Sequence, residues 1–290
     1  MGEKSNITVI LPIVTLDNLE YNVTSVGEDN KQVVKTANYL NTALNSITTQ
    51  KTLPEEVIIV VGKGVDTGII DAKIKETIKS DEVNFRIISN DGETDFASQI
   101  NFGVENVNTT YFSILEVDDQ YATIWFDNAV KYRKWYDVDV SLPLCLDVNT
   151  EGKFLHFSNE PVWAKDFSEK QGFLDNDSLL NFPNFQLSGA IIKTDAYKSV
   201  GGLKPTLKLQ FIYEFLLRMS YYDKKMMTIP KLGYRKTNMR EGSLFHGYYH
   251  KDTTKMNPIE ARFWFNTARK ESYFKADRKI KYMENVETEV

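Results

Sequence analysis

Cysteine is nearly absent from this chain. Its 290 residues include one, Cys145, so no internal disulfide can form and nothing points to an oxidising compartment. No apolar run is long enough to cross a bilayer, and no signal-peptide core follows the N-terminus. The expectation is a cytoplasmic protein without a membrane span. Positive charge is not in excess either. The net charge of −5 offers no basic field to nucleic acid or to an anionic membrane. There is no internal repeat and no low-complexity segment. A phosphate-binding P-loop is also missing, because Gly62-Lys63-Gly64 lacks its spacing. What remains is ordinary for a globular protein, with 42% hydrophobic and 26% charged residues. The length suits one large α/β domain, alone or with a small appendage. Cys145 lies in the apolar run Ser141 to Leu146 and reads as a small core residue.

Apolar runs alternate with helical periodicity along most of the chain. Strands are predicted at Ile7 to Val14, Glu56 to Val61, Asn84 to Ser89, Asp137 to Val148 and Gln186 to Lys193. Pro12 should end the first strand or put it at an edge. Helices are predicted at Thr36 to Gln50, Asp71 to Ser80, Asp95 to Val107, Trp125 to Trp135, Asp195 to Val200 and Gln210 to Tyr222. Thr15 to Lys35 reads as a long loop or an insertion over a site, and residues 149–184 as loops with short elements. This rhythm implies a mostly parallel sheet with helices on both faces. Ligands of such sheets bind beyond the carboxyl ends of the strands.

The most informative stretch is Tyr111 to Asp119, an apolar run that ends in Glu116, Asp118 and Asp119. As a continuing strand it would put Glu116 and Asp118 on one side and Asp119 on the other. Carboxylates on one side repel, and a divalent cation such as Mg²⁺ or Mn²⁺ would relieve that repulsion and could also hold a diphosphate. The competing reading is a strand ending in an acidic turn. Glu214 and Arg218, four apart on a helix, read as a surface ion pair.

The order of these pieces resembles the family 2 glycosyltransferases of GT-A fold. The resemblance rests on Ile7 to Pro12, Tyr39-Leu40 through Val61, Asn101-Phe102-Gly103-Val104, Glu116-Val117-Asp118-Asp119, Ala190 to Lys193, Gly201-Gly202-Leu203, Leu217-Arg218 and Tyr234-Arg235. It covers residues 6 to 250 and leaves 251–290 as a helical extension with a charged tail. It implies a GT-A, Rossmann-like domain that transfers a sugar from a nucleotide-diphosphate donor to an unidentified acceptor, with Mn²⁺ or Mg²⁺ and inversion. On that likeness Glu116, Asp118 and His246 would hold the metal. Pro12, Gly62, Asn101, Glu116, Asp118 and Arg235 would line the donor site.

Two positions depart from the family. No acid follows the second strand until Asp66, where relatives read the nucleobase. The family's general-base position is Ile212; Glu214 lies two residues on, about 200° round a helix. Asp175, Asp177 and Glu214 are the candidate replacements. The alternative function is a catalytically degenerate GT-A module with a structural or assembly role, for instance in a viral particle. Its protein partner would dock on the aromatic-rich 149–184 stretch or the C-terminal helix. A nucleotidyltransferase would need a basic glycine-rich loop after the first strand, and Pro12 to Asp17 has neither feature.

Overall fold

A strand buried along its whole length has no solvent face and belongs inside a sheet covered on both sides. β1 (Ile7–Ile13) is such a strand, and β4 (Glu56–Val61) is buried from Val57 onward. The computed structural model describes residues 4–14, 20–26, 32–93, 95–160, 172–207, 209–238, 240 and 258–275. In it β1 and β4 lie side by side in parallel, with Ile10 opposite Ile58. β5 (Asn84–Ser89) continues the sheet beyond β4, and β6 (Tyr111–Ile114) pairs with the other side of β1, both in parallel. β11 (Ile191–Lys193) follows β6 antiparallel, then β8 (Val140–Val148) and β12 (Met226–Thr237), parallel to each other. Short antiparallel strands complete this side. β7 (Gln120–Tyr121) and β10 (Phe173–Leu174) pair with β12, and β9 (Phe154–Ser158) with β8. The ten strands form one mostly parallel sheet.

Period-two alternation divides β1 between two cores. Ile7, Val9, Leu11 and Ile13 meet α1 (Tyr39–Thr48), α2 (Thr67–Thr77) and α4 (Trp125–Trp135) on one face. Ile10 meets α3 (Phe96–Glu105) on the other, where α5 (Asn176–Asn181), α6 (Thr194–Ser199), α7 (Phe211–Tyr221) and α8 (Pro258–Glu271) also pack. Phe265 of α8 stacks on Tyr213 of α7 at 5.0 Å, and Ala268 is fully buried, so this helix shares the second core. The expected boundary at 250/251 lies outside the described residues. No described helix is long and apolar enough to cross a membrane.

Several local expectations are corrected. Residues 20–26 and 32–35 are not loop, and 36–38 are not helix: β2 (Glu20–Val26) and β3 (Gln32–Asn38) pair as an antiparallel ladder. β3 runs up to Asn38, so α1 starts at Tyr39, with the Asn38 side chain accepting from Asn41 N–H at 3.1 Å. Pro12 does not end β1. In β1 the odd carbonyls face β4, as Gly62 N–H to Ile13 O at 3.0 Å shows, and the even positions face β6. β6 pairs only as far as Ile10, so the donor that Pro12 lacks would meet no strand. The strand expected from Gln186 shortens to Ile191–Lys193. Ala190 N–H turns back to Leu187 O at 3.0 Å, and Gly189 adopts φ +77°.

Gly103 shows how closely α3 approaches the sheet. A Cβ there would lie 2.8 Å from Ile10 Cγ2 and 3.0 Å from Val60 Cγ2. Gly103→Ala is expected to destabilise the fold by about 1–3 kcal/mol through overpacking, despite alanine's better helix propensity. Urea denaturation of the two proteins measures it, and an unchanged or raised midpoint would refute the close approach.

Candidate metal and nucleotide-sugar site

β6 stops at Ile114 and the chain turns. Leu115 N–H still donates to Ile10 O at 3.0 Å, and Asp119 N–H then donates to Glu116 O at 3.1 Å. This turn overrides the alternation expected of a strand running to Asp119. Glu116, Asp118 and Asp119 are gathered together, each offering an oxygen within 4.8 Å of the others.

The carboxyl end of β12 holds the turn in place. Thr237 N–H donates to Asp119 Oδ1 at 2.7 Å, and Thr237 Oγ1 donates to Asp118 O at 2.8 Å. Glu116 N–H donates to the Tyr234 hydroxyl at 3.0 Å, and Ser188 Oγ donates to the Glu116 carboxylate. Arg240 Nε pairs with Asp118 Oδ2, both side chains 7% exposed. Two glycines make room for this end of β12. A Cβ on Gly189 would strike the Tyr234 ring, and one on Gly233 would strike Trp125.

Asp119 is the strained member. Its Oδ2 is buried without a hydrogen-bond partner. Burial, then the charges of Asp118 and Glu116, hold its pKa well above the usual carboxylate value, against the pull of Lys236 and the Thr237 N–H. Burial works against the charge of Lys236, but Glu116, Asp119 and Asp147 outweigh it and raise the lysine pKa. Three carboxylates facing one spot, one with an unpartnered buried oxygen, suit a hard divalent cation with oxygen ligands. Cys145 is buried, and burial raises its pKa, which disfavours a thiolate.

The other expected site residues divide. Gly62 and Asn90 sit at the ends of β4 and β5, Asn90 N–H donating to Val61 O at 2.9 Å, on the same carboxyl edge of the sheet. Pro12 lies within β1 beside them, opposite Val60. Asn101 is engaged within the fold. Its side chain accepts from Tyr197 Oη at 2.6 Å and Leu203 N at 2.9 Å, and donates to Leu203 O at 2.8 Å, tying α3 to the turn after Gly201-Gly202. Arg235 alternates with Tyr234 and Lys236 and reaches instead toward Gly152. His246 lies outside the described residues.

None of the three expected bases faces the acidic turn. Glu214 is fully buried, bidentate to Arg218 at 2.8 Å through both oxygens, with Lys204 at 3.2 Å. Arg218 also donates to the carbonyls of Val200 and Gly202, so the pair expected on the surface is an internal clamp. Asp175 caps α5, accepting from Ser178 N–H at 2.7 Å, and that bonding lowers its pKa. Leu174 pairs with Met226, the first residue of β12, whereas the acidic turn meets the last. At about 3.3 Å per residue, Asp175 and the neighbouring Asp177 are on the order of 30 Å from the cluster. The residues that sequence reasoning missed are Ser188, Lys236, Thr237 and Arg240. Tyr234-Arg235 marked their strand, but only its register shows that Lys236 and Thr237 meet the acids.

A mostly parallel α/β sheet with carboxylates gathered at its carboxyl edge is the architecture of an open α/β fold with its ligand site at the strand ends, and the GT-A glycosyltransferases share it. The sequence model of glycosyl transferase family 2 matches residues 32–200, more than half of the chain, and the chain belongs to that family. No curated protein matches the sequence. Among solved structures, S. aureus TarS residues 1–349 in complex with UDP-GlcNAc is similar at 18% identity and TM-score 0.57, over 86% of this chain and 62% of that one. The same TarS fragment with UDP gives 17% identity and TM-score 0.53, over 82% and 60%. The mannosyltransferase PcManGT from Pyrobaculum calidifontis, in complex with GDP-Man and Mn²⁺, gives 14% and 0.53, over 82% and 58%. At these identities the likeness is one of fold. The chain spans about 60% of the length of those chains.

Two outcomes follow from the site's electrostatics. A carboxyl whose pKa is raised by folding binds its proton more tightly folded than unfolded. Its contribution therefore favours the fold at low pH and is lost as pH rises through the raised value. Asp119→Asn should raise the metal-free melting temperature at pH 7 and narrow the gain seen on acidification. Excess Mn²⁺ should stabilise the parent by about 2–3 kcal/mol at a hundredfold excess over its dissociation constant, and Asp119→Asn should lose most of that gain. Equal melting curves for the two proteins with and without Mn²⁺ would refute the arrangement. Glu214→Gln should cost about 3–5 kcal/mol by uncovering Arg218, whereas a solvent-facing base would leave denaturant stability unchanged.

Proposed function

We propose that the protein is a divalent-metal-dependent glycosyltransferase that moves a sugar from a nucleotide-diphosphate donor to an acceptor hydroxyl, with inversion. The observation that carries this reading is the convergence of Glu116, Asp118 and Asp119 at the carboxyl edge of the sheet. Family membership supports it, and so do fold relatives whose structures hold UDP, UDP-GlcNAc, or GDP-Man with Mn²⁺.

Glu116, Asp118 and Asp119 would hold the cation, Mn²⁺ or Mg²⁺. When bound, it neutralises the charge of a diphosphate leaving group. Arg240 and Lys236 supply further positive charge on the same side, the first through its pair with Asp118. The nucleoside would lie along the ends of β1, β4 and β5, near Gly62 and Asn90. Asp66 is no substitute for the missing base-reading acid. Its carboxylate caps α2, accepting from Gly68 N–H at 2.8 Å. Backbone groups at these strand ends would read the base instead.

The test is calorimetric titration of UDP-, GDP-, CDP- and dTDP-sugars with and without Mn²⁺. One donor is expected to bind in a metal-dependent way, and Asp118→Asn should abolish both that binding and donor turnover while the far-UV spectrum is kept. Metal-independent binding of equal strength in Asp118→Asn would refute the site. No binding by any donor would favour the degenerate module.

A further inference from the structure

The acceptor side lacks a base where the family places one, yet a proton acceptor stands elsewhere on the same sheet edge. The strand registers set Lys236 of β12 opposite Asp147 of β8, and Asp147 opposite His156 of β9. Directly opposed residues on neighbouring strands project from the same face. The three side chains therefore form a row that starts beside the acidic turn, where Glu116 and Asp119 act on Lys236, and runs outward to His156. Two strand spacings, roughly 10 Å, separate the ends of the row.

Asp147 is buried and fixed from both sides. Ser158 Oγ donates to its Oδ2 and Asn238 Nδ2 to its Oδ1, each at 2.6 Å. His156 Nε2 lies 4.0 Å from that same Oδ1, and the imidazole is 61% exposed. One ring nitrogen thus faces a buried carboxylate and leaves Nδ1 for solvent. Such base and orienting-acid contacts are often long without substrate and tighten on binding. The exposed rings of Phe154 and Phe157, 5.1 Å apart, lie opposite Val148 and Leu146 and so belong to the other face of β9 from the histidine.

We propose that His156, oriented by Asp147, is the general base that deprotonates the acceptor hydroxyl. The proposal rests on the glycosyltransferase reading above. Nδ1 takes the hydroxyl proton as the acceptor oxygen forms its bond to the anomeric carbon. The bond from that carbon to the diphosphate oxygen breaks, and the nucleoside diphosphate leaves with the electron pair. Asp147 stabilises the imidazolium that results. Among the described residues, the charged groups in register with the ring are Asp147 and, beyond it, Lys236. On the adjoining turn Glu151 and Lys153 pair with each other at 2.7 Å.

The test uses the full chain, Mn²⁺ and the sugar nucleotide that binds, with water and then azide as acceptors. Azide is an anion and brings no proton to remove. His156→Gln is expected to bind the donor as the parent does and to hydrolyse it about 10²–10⁴ times more slowly. It should also lose the dependence of that rate on pH that a protein base imposes. With azide, glycosyl azide should form at the parental rate. Asp147→Asn should lower kcat at unchanged KM and shift the pH profile. Unchanged hydrolysis by His156→Gln, or an equal loss with azide and with water, would overturn the assignment. If the parent binds no donor, the glycosyltransferase reading falls first and takes this assignment with it.

Discussion

Holding Glu116, Asp118 and Asp119 within 4.8 Å of one another works against like-charge repulsion, and the neighbouring elements are arranged to bear it. The last residues of β12 do most of this. Thr237 bonds to both Asp119 and Asp118, Tyr234 receives the Glu116 N–H, and Arg240 pairs with Asp118. Those contacts need β12 beside the turn, which in turn needs glycine at 189 and at 233 to admit the Tyr234 and Trp125 rings. The end of the sheet is thus shaped around one knot of charge.

A second knot is separate from it. Lys204, Glu214, Arg218 and Glu271 join α7, α8 and the Gly201-Gly202 turn through an internal ion network. Buried pairs of this kind contribute little net stability but punish the loss of either partner. Glu214 is therefore committed to holding helices, and it cannot also serve an acceptor. This separation explains why a base, if the chain uses one, is better sought along the β8–β9 edge than on α7.

Much of the sheet was legible because its signals are local. β1, β4 and β5 were apparent from their apolar runs, and α4 from its periodicity, with its ends at Trp125 and Trp135. The acidic stretch was also visible, but its geometry was not. A turn bond from Asp119 to Glu116 outweighs strand alternation because β6 has no reason to continue once its pairing with β1 ends. Partners set by register were out of reach. β12 slips twice between Ile229 and Tyr234, and no spacing rule would have brought Lys236 to Asp147 or Thr237 to Asp119. Glu214 and Arg218 do pair at the i, i+4 spacing that the sequence shows, but inside the protein and not on its surface. Their burial depends on Lys204 and on the Val200 and Gly202 carbonyls, all distant in sequence.

The energetics of Asp119 bear on the choice between enzyme and scaffold. A buried carboxylate oxygen with no partner costs about 1–3 kcal/mol, and neighbouring charges add to that. Asparagine would keep the bond from Thr237 and remove the repulsion, so a purely structural module has a cheaper side chain available. Strain of this sort is understandable where a ligand relieves it. The remaining oxygen of Asp119 and the neighbouring carboxylates of Glu116 and Asp118 are what a divalent cation would satisfy. The same cation would bring a diphosphate to the strand ends, beside Gly62 and Asn90. The one feature of the site that makes least sense as architecture therefore makes most sense as chemistry.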